Sequence, residues 1–375
     1  MLDTESVRRR RAWAQALAGG VREASPEAVV RRVCALQAQD ALAADLGIRA
    51  RGRNITAAAV RAAYEDERSI VRGWYLRGTL HTVCSEDARW ILALLAPRIL
   101  AATGRRYHQL GLHEDLRRRA DHLLRQVLTT HGPLTRAELT GHLTRLGIPP
   151  DGQAPFHLIR HAALTGVLCH GPRRAGEATY VLLEDWLPAD GVRWDQEAAL
   201  AELARRYLAA HAPAGAEDFA VWSGLPLSWA RRAWGTLAQA GAITADGDLT
   251  TLAGRAGERG YPPDAPDAPD TPEMPEVPDA PEAPDVRMLP AYDNYLLAYR
   301  TRDVCVPAAH QARVWPGGGI IRPTVLADGL AVATWARREA GRSITVHPFA
   351  PLPPRVASAV DGEISDVSRF CARSV

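Results

Sequence analysis

One order of elements, three helices followed by two short strands, recurs along the chain and constrains the fold more than any other feature. In the first copy, Ser25 before Pro26 is typical of a helix start, and Asp40 can cap a later helix. Residues 69–83 have the aromatic and β-branched composition of a hairpin, with its bend near Arg77. Helices followed by such a β-hairpin predict a winged-helix domain.

Two further copies repeat the order of elements rather than the sequence. A connecting helix is expected from Ser85 to about Leu100. Thr135 and Glu138 have the spacing of a capping box at a helix start, and the Asp-Gly pair at 246–247 is typical of a hairpin turn. The other predicted elements are helices at 4–18, 25–36, 40–49, 56–66, 114–130, 153–166, 196–210, 216–223 and 228–240, and strand pairs within 167–183 and 243–252.

Strand signals dominate after residue 285, where an Asp-Gly pair at 328–329 again indicates a hairpin. The candidate strands are 286–289, 311–315, 319–326, 330–336 and 342–347, followed by a closing helix at about 355–372. The chain is therefore expected to be mainly α with β-wings (α+β), with three tandem winged-helix domains and a small β-rich C-terminal domain. The predicted boundaries are 1–108, 109–190, 191–255, a Pro/acid-rich spacer at 256–285, and 286–375.

The spacer has its own character between residues 261 and 285. Proline recurs at every third position from Pro263 to Pro284, and most of these prolines are followed by an acidic residue. Polyproline II has three residues per turn, so this period predicts a stiff, solvated spacer. An acidic arm that lies across a basic groove in place of DNA is the alternative interpretation.

Composition excludes several classes of protein. The chain contains no lysine, so it has neither the lysine of a P-loop nucleotide site nor a lysine for a Schiff base. A glycosylase of this composition is expected to be monofunctional unless the terminal amine takes part. Its five cysteines are scattered singly, which predicts buried thiols and no metal site. No apolar run reaches the roughly 18 residues of a membrane span, and the N-terminus does not read as a signal peptide. A cytoplasmic protein without a cofactor is expected.

Charge distribution favours a polyanionic partner. The net charge is only +2, but residues 261–285 carry eight carboxylates and no arginine. The rest of the chain is therefore clearly basic, as expected of a protein that binds nucleic acid.

The stretch VRRVCALQAQDALAADLGIRAR at residues 30–51 resembles a bacterial family of winged-helix DNA glycosylases, the AlkZ/YcaQ type. That family carries a Gln-x-Gln or Gln-x-Asp motif here, which stands as Gln37-Ala38-Gln39 in this chain. The segments RGTLHTV, FAVWSGLP, LPAYDNYLLAYR and IIRPTVLADGLAVATW agree in order, and the spacer looks like an insertion. The Gln-x-Gln form resembles the branch associated with self-resistance to azinomycin-type genotoxins, which alkylate guanine N7 and crosslink the two strands.

Gln37 and Gln39 are the candidate catalytic residues that the resemblance implies. On a continuous helix they would point about 200° apart, whereas on an extended backbone they would share a face. A helix cap at Asp40 would end the preceding helix near Leu36 and let both amides converge. Two solvated glutamines in a helix junction are the alternative interpretation.

Five further residues are candidates for catalysis or DNA binding. Asp40 is either a general base or only a helix cap. Arg77 and His81 lie on the first predicted wing, where they could contact phosphate, although His81 could equally be packed in the strand. Asp293 and Arg322 lie in segments that resemble the family, either at a site or as a structural ion pair.

The expected function is a monofunctional DNA glycosylase that hydrolyses the N-glycosidic bond of cationic N7-alkylpurines and unhooks interstrand crosslinks. Its partner is double-stranded DNA that carries alkylated or crosslinked purines, with no membrane and no nucleotide cofactor, and a monomer located on the nucleoid is expected. The alternatives are a winged-helix transcriptional regulator and a protein that binds DNA lesions without cutting.

Overall fold

The computed structural model describes residues 2–188, 193–253, 284–338 and 343–372. The chain divides into two compact units. Unit 1 contains Met1–Val60 and Leu200–Val375, and unit 2 contains Arg61–Ala199. The predicted polyproline segment, 261–285, lies outside the described residues except for its last two positions.

The first segment has the predicted order of helices and strands, but its first two helices end earlier than expected, at Ala14 and Val33. Ser25 accepts a hydrogen bond from the backbone N–H of Ala28 and so caps the helix that follows. A short 3-10 turn at Leu76–Gly78 joins the two hairpin strands, and Arg77 and Gly78 have the positive φ angles that the bend needs. The elements are α1 (Thr4–Ala14), α2 (Pro26–Val33), β1 (Leu36–Gln37), α3 (Ala41–Arg51), α4 (Ala57–Glu65), β2 (Ile70–Trp74) and β3 (Leu80–Cys84).

The second segment contains the predicted capping box, in which Thr135 and Glu138 exchange hydrogen bonds. The connecting helix ends at Gln109 and not near Leu100, because residues 101–109 are too polar to show an apolar period although Tyr107 is buried. The elements are α5 (Ser85–Gln109), α6 (Glu114–His131), β4 (Leu134–Thr135), α7 (Arg136–Leu143), α8 (Ala154–Leu164), β5 (Leu168–His170), β6 (Thr179–Leu182) and α9 (Leu183–Trp186).

The third segment again has three helices and a hairpin. The hairpin turn is formed by Gly247 and Asp248, one residue later than the predicted Asp-Gly pair, because Asp246 still pairs with Leu249; Gly247 has a φ of 63°. The elements are α10 (Gln196–His211), α11 (Ala216–Ser223), α12 (Leu227–Gln239), β7 (Ile243–Asp246) and β8 (Leu249–Leu252). The predicted order of elements is therefore present three times. The predicted domain boundaries divide the chain differently from the two compact units. They stay a prediction.

The last part of unit 1 contains an antiparallel sheet with the strand order β12-β11-β10-β9. Its elements are β9 (Val286–Leu289), α13 (Asn294–Leu297), α14 (Gln311–Val314), β10 (Thr324–Ala327), β11 (Leu330–Arg338), β12 (Ser343–Pro348) and α15 (Pro354–Ala372). The strand predicted at 311–315 is wrong: these residues continue a 3-10 turn as the helical turn α14 and bury Val314. The strand predicted at 319–326 begins only at Thr324, because three glycines with positive φ precede it.

One hydrophobic cluster anchors this sheet to the N-terminal helix. Ala12 and Leu17, at α1 and just after it, pack in the same cluster as Tyr295, Val314 and Leu326. The chain is thus mainly helical with small antiparallel sheets, as the sequence predicts.

Candidate active site

The Gln-Ala-Gln motif at residues 37–39 lies in the junction between α2 and α3. Cys34, just after α2, has a φ of 65°, which ends the helix. The backbone at 36–37 is extended, and Asp40 then caps α3 by accepting a hydrogen bond from the N–H of Ala43 at 2.8 Å. The prediction that the motif lies outside the helices, with Asp40 as a cap, is confirmed.

The two glutamine side chains meet. Nε2 of Gln37 donates a hydrogen bond to Oε1 of Gln39 at 2.6 Å. Gln37 is buried, with 9% of its surface exposed, whereas Gln39 is exposed. The two amides therefore converge as predicted, and the buried amide of Gln37 orients the exposed amide of Gln39.

Asn294 holds the backbone of this junction from the other end of the chain. Its Oδ1 accepts a hydrogen bond from the N–H of Gln37 at 2.9 Å, and its Nδ2 donates to the carbonyl oxygen of Ala35. Asn294 is buried and is the first residue of α13. A buried amide that satisfies one backbone donor and one backbone acceptor fixes the main chain on both sides of Leu36.

Asp293, the neighbour of Asn294, faces a different partner. Its two carboxylate oxygens accept hydrogen bonds from Nη1 and Nη2 of Arg51 at 2.8 and 2.7 Å, and both side chains are fully buried. The guanidinium also donates to the carbonyl oxygen of Gly47 and to Oε1 of Gln15. An ion pair is therefore present, but it joins Asp293 to Arg51.

Arg322 is not the partner of Asp293, so this predicted pair is wrong. Arg322 is exposed, and its Nη1 donates to the carbonyl oxygen of Arg313 at 3.3 Å. The pairing could not be read from the sequence, because Asp293 reaches across 242 positions to a helix that follows the glutamine motif.

Arg77 and His81 belong to unit 2, whereas the glutamine motif belongs to unit 1. His81 is buried in β3, and its Nδ1 lies 3.0 Å from the carbonyl oxygen of Thr79. Burial and the nearby Arg77 lower the pKa of His81 to about 3, so its ring is neutral at pH 7. His81 is thus a packed strand histidine, while Arg77 is exposed at the bend.

The described ranges contain no group of three or more His, Cys, Asp or Glu residues that could hold a metal ion. They also contain no helix that is long and apolar enough to span a membrane.

The family of the chain follows from its similarity to known proteins. The sequence profile of the family described as DNA glycosylase AlkZ-like matches residues 30–370. The chain belongs to this family. The interstrand DNA cross-link repair glycosylase of Streptomyces sahachiroi is 27% identical over 358 residues, which cover 91% of this chain and 89% of that protein. The solved structure of Streptomyces sahachiroi DNA glycosylase AlkZ is 25% identical, with a TM-score of 0.74 over 99% of this chain and 97% of that one.

Membership of the AlkZ-like family confirms the resemblance first seen around the Gln-x-Gln motif. It identifies the chain as a member of a family of DNA glycosylases, which act on DNA. The catalytic roles of Gln37 and Gln39 stay a prediction. Asn294 is the site residue that the sequence analysis missed, although it stands in the segment AYDNY. A polar residue directly before the apolar run YLLAY was the signal that could have indicated it.

Proposed function

We propose that this protein is a monofunctional glycosylase that hydrolyses the N-glycosidic bond of cationic N7-alkylpurines in duplex DNA. One observation carries the proposal: two glutamine amides are held against each other at 2.6 Å, one buried and one at the surface. The family of the chain supports the class of reaction, and the glutamine pair supports the choice of substrate.

A glutamine amide is neither an acid nor a base near pH 7, so it can orient water and place a carbonyl dipole beside positive charge. Glycosidic cleavage develops positive charge on the sugar in an oxocarbenium-like transition state. Gln39, exposed and fixed by Gln37, supplies such a dipole, and hydrogen bonding to its carbonyl polarises the amide further.

The substrate supplies the activation that an amide cannot. A purine alkylated at N7 carries a positive charge and leaves as a neutral base when the electron pair of the C1′–N9 bond moves onto it. Water adds its oxygen to C1′, its proton passes to the solvent, and an abasic sugar remains. Absence of a general base costs about 10²–10⁴ in rate, so normal bases and uracil should not react.

Asp40 is the competing candidate for a base. Its Oδ1 already accepts the capping hydrogen bond from the Ala43 N–H, which fixes the carboxylate at the start of α3. We assign Asp40 to capping and to holding the motif extended. The lack of lysine argues for a monofunctional enzyme, because no lysine can form an imine with the abasic sugar.

Crosslinked purines are the second part of the proposal. A base tied to the opposite strand cannot rotate into a deep pocket, so an enzyme that unhooks it needs a site reached from a groove. The exposure of Gln39 supports such a site. The relative from Streptomyces sahachiroi is named for interstrand cross-link repair, and we propose the same substrate class here, including crosslinks from an azinomycin-type genotoxin.

We further propose that the three helix-and-hairpin segments are winged-helix domains that contact the phosphate backbone in a monomeric enzyme. The exposed Arg77 on the first hairpin is one candidate contact.

The direct test incubates the protein with duplex DNA that contains one N7-methylguanine, followed by alkali and a denaturing gel. We expect strand breaks only after alkali, and about 10²-fold or more slower release in Gln37→Ala and Gln39→Ala if the pair stabilises the transition state. Gln239→Ala, an exposed glutamine at the end of α12, is the matched control and should retain full activity. Tight binding without base release would favour the regulator or lesion-binding alternative.

A crosslink formed through guanine N7 on both strands tests the second part. Conversion of the slowly migrating duplex to single strands, dependent on Gln37 and Gln39, would support unhooking. Excision of N7-methylguanine with the crosslink left intact would restrict the enzyme to single-strand adducts.

A further inference from the structure

A glycine-rich loop in unit 1, residues 315–321, has the sequence WPGGGII. Its three glycines, 317 to 319, have φ angles of 104°, 61° and 75°, a conformation that residues with a side chain rarely adopt. A Cβ atom on any of the three would meet nothing within 4 Å. The loop therefore turns tightly and stands clear of the protein around it.

Both ends of this glycine loop are fixed. Val314 and Ile321 are buried in the same hydrophobic cluster as Tyr295 and Leu296 of α13. The N–H of Arg322 donates to the carbonyl oxygen of Val314 at 2.9 Å and closes the base of the loop. The same short helix begins with Asn294, which binds the backbone of Gln37. The glycine loop and the candidate active site therefore both contact α13.

Ile320 directly follows the turn formed by Gly318 and Gly319, pairs with Gly317 across that turn, and has 50% of its surface exposed. Its N–H donates to the carbonyl oxygen of Gly317 at 3.1 Å, so the turn itself orients the residue. Among the described residues, Ile320 and Val221 are the two exposed large hydrophobic residues, and Val221 is part of a regular helix. An apolar residue on a braced glycine turn differs from the isolated surface apolar residues that need no explanation.

Three arginines surround the base of the loop. Arg322 and Arg302 are exposed, and Arg302 lies over the ring of Trp315 at 4.3 Å. Arg313 donates to the carbonyl oxygen of Pro348. The surroundings of Ile320 are thus cationic, which suits the phosphates that border a DNA groove and not an apolar protein partner.

We propose that Ile320 is a DNA wedge: it enters the duplex from a groove and partly unstacks the base step beside the alkylated purine. The inference rests on the proposed function and names the contact that opens the glycosidic bond to water. Isoleucine is among the apolar side chains that wedge between base steps, and flanking arginines bind the adjacent phosphates. A wedge suits crosslinked substrates, because unstacking does not require the base to leave the duplex.

The test measures base stacking apart from chemistry. Duplexes carry 2-aminopurine, which fluoresces when it is unstacked, beside an N7-methylguanine, and the protein carries Gln37→Ala so that the base is retained. We expect fluorescence to rise on binding, and the rise to be lost with Ile320→Ala at protein concentrations that saturate the DNA. Val221→Ala, which shortens the other exposed hydrophobic residue, should leave the rise unchanged. With active protein, Ile320→Ala should slow single-turnover excision about tenfold.

The outcomes separate the two proposals. A rise of the same size in Ile320→Ala, or no rise at all, would overturn the wedge whatever the excision assay shows. If wild-type protein excises nothing but the rise depends on Ile320, the proposed chemistry fails and the wedge holds. If Ile320→Ala alters only the sedimentation of the free protein, the loop is a contact between proteins and the wedge is wrong.

Discussion

Asp293 and Asn294 are neighbours in one short turn, yet they support two different regions of unit 1. Asp293 belongs to a closed cluster in which Arg51 is fully buried and paired through two hydrogen bonds. Asn294 belongs to an open one, in which a buried amide holds the backbone of a motif whose last residue, Gln39, reaches the surface. The closed cluster satisfies its own charges, whereas the open one uses buried hydrogen bonds to orient an exposed group.

The largest effect is expected on stability, from Asp293→Ala. This change leaves the Arg51 guanidinium buried without its counter-charge and should cost about 3–5 kcal/mol of unfolding free energy. Urea unfolding followed by circular dichroism measures it. Replacing both residues by apolar ones, Asp293→Leu with Arg51→Met, should recover much of the loss. A double variant as unstable as the single one would show that the loss of stability does not come from the unpaired charge of Arg51.

The second effect should appear mainly in catalysis, from Asn294→Ala. Loss of the hydrogen bonds to Ala35 and Gln37 should cost about 1–3 kcal/mol of stability. Displacement of Gln37 and Gln39 by about 1 Å should slow single-turnover excision on the order of 10²-fold, with DNA affinity retained. Asn294→Asp keeps an oxygen for the Gln37 N–H but turns a buried carboxylate oxygen toward the carbonyl oxygen of Ala35, so it should not restore the rate. Equal activity of wild type and Asn294→Ala would show that Asn294, like Asp293, only stabilises the fold.

Three buried histidines, like the buried ion pair, should contribute to the stability of the protein and not to catalysis. Burial lowers the pKa values of His81, His170 and His211 to about 3, below the ordinary value of 6.5. The unfolded chain therefore binds more protons between these values, so stability should fall as the pH drops from about 6.5 toward 3. Thermal unfolding from pH 7.5 to 4.5 measures this. His81→Gln should flatten the slope, and an unchanged slope would place the acid sensitivity elsewhere.

The smallest effect is expected at Asp40. Asp40→Asn keeps a capping oxygen, so neither stability nor excision should change, whereas Asp40→Ala should cost about 1 kcal/mol. Excision rates and unfolding midpoints of the two variants separate a cap from a base. Loss of 10²–10⁴ in rate with Asp40→Asn at unchanged stability would make the carboxylate the general base.

The sequence was informative wherever neighbouring residues determine structure. Ser25, Asp40 and Thr135 cap helices where their side chains predict it, and glycine at 247 forms its turn. The apolar period predicted the end of α5 near Leu100, but polar residues continue this helix to Gln109. Local signals failed also at 311–315, where a helical turn replaced the expected strand.

Residues of the candidate site could be predicted only in part, for the same reason. A resemblance to a family identifies Gln37 and Gln39 as candidates, and the cap at Asp40 predicts the extended backbone that the structure has there. The partner of Asp293 and the role of Asn294 depend on contacts across 242 and 257 positions. No local period of hydrophobic residues encodes contacts of that range.

The 257 positions between Gln37 and Asn294 also have a consequence for the order of events in synthesis. The glutamine motif is made early, but the residue that holds it is made only when over three quarters of the chain is complete. Unit 2 lies between them in the chain, so it can be complete before unit 1 can close. Contacts of such long separation form slowly, because a large loop must close first. A nascent or truncated chain should thus carry the complete glutamine motif without activity, and excision should begin only when both ends of the chain have met.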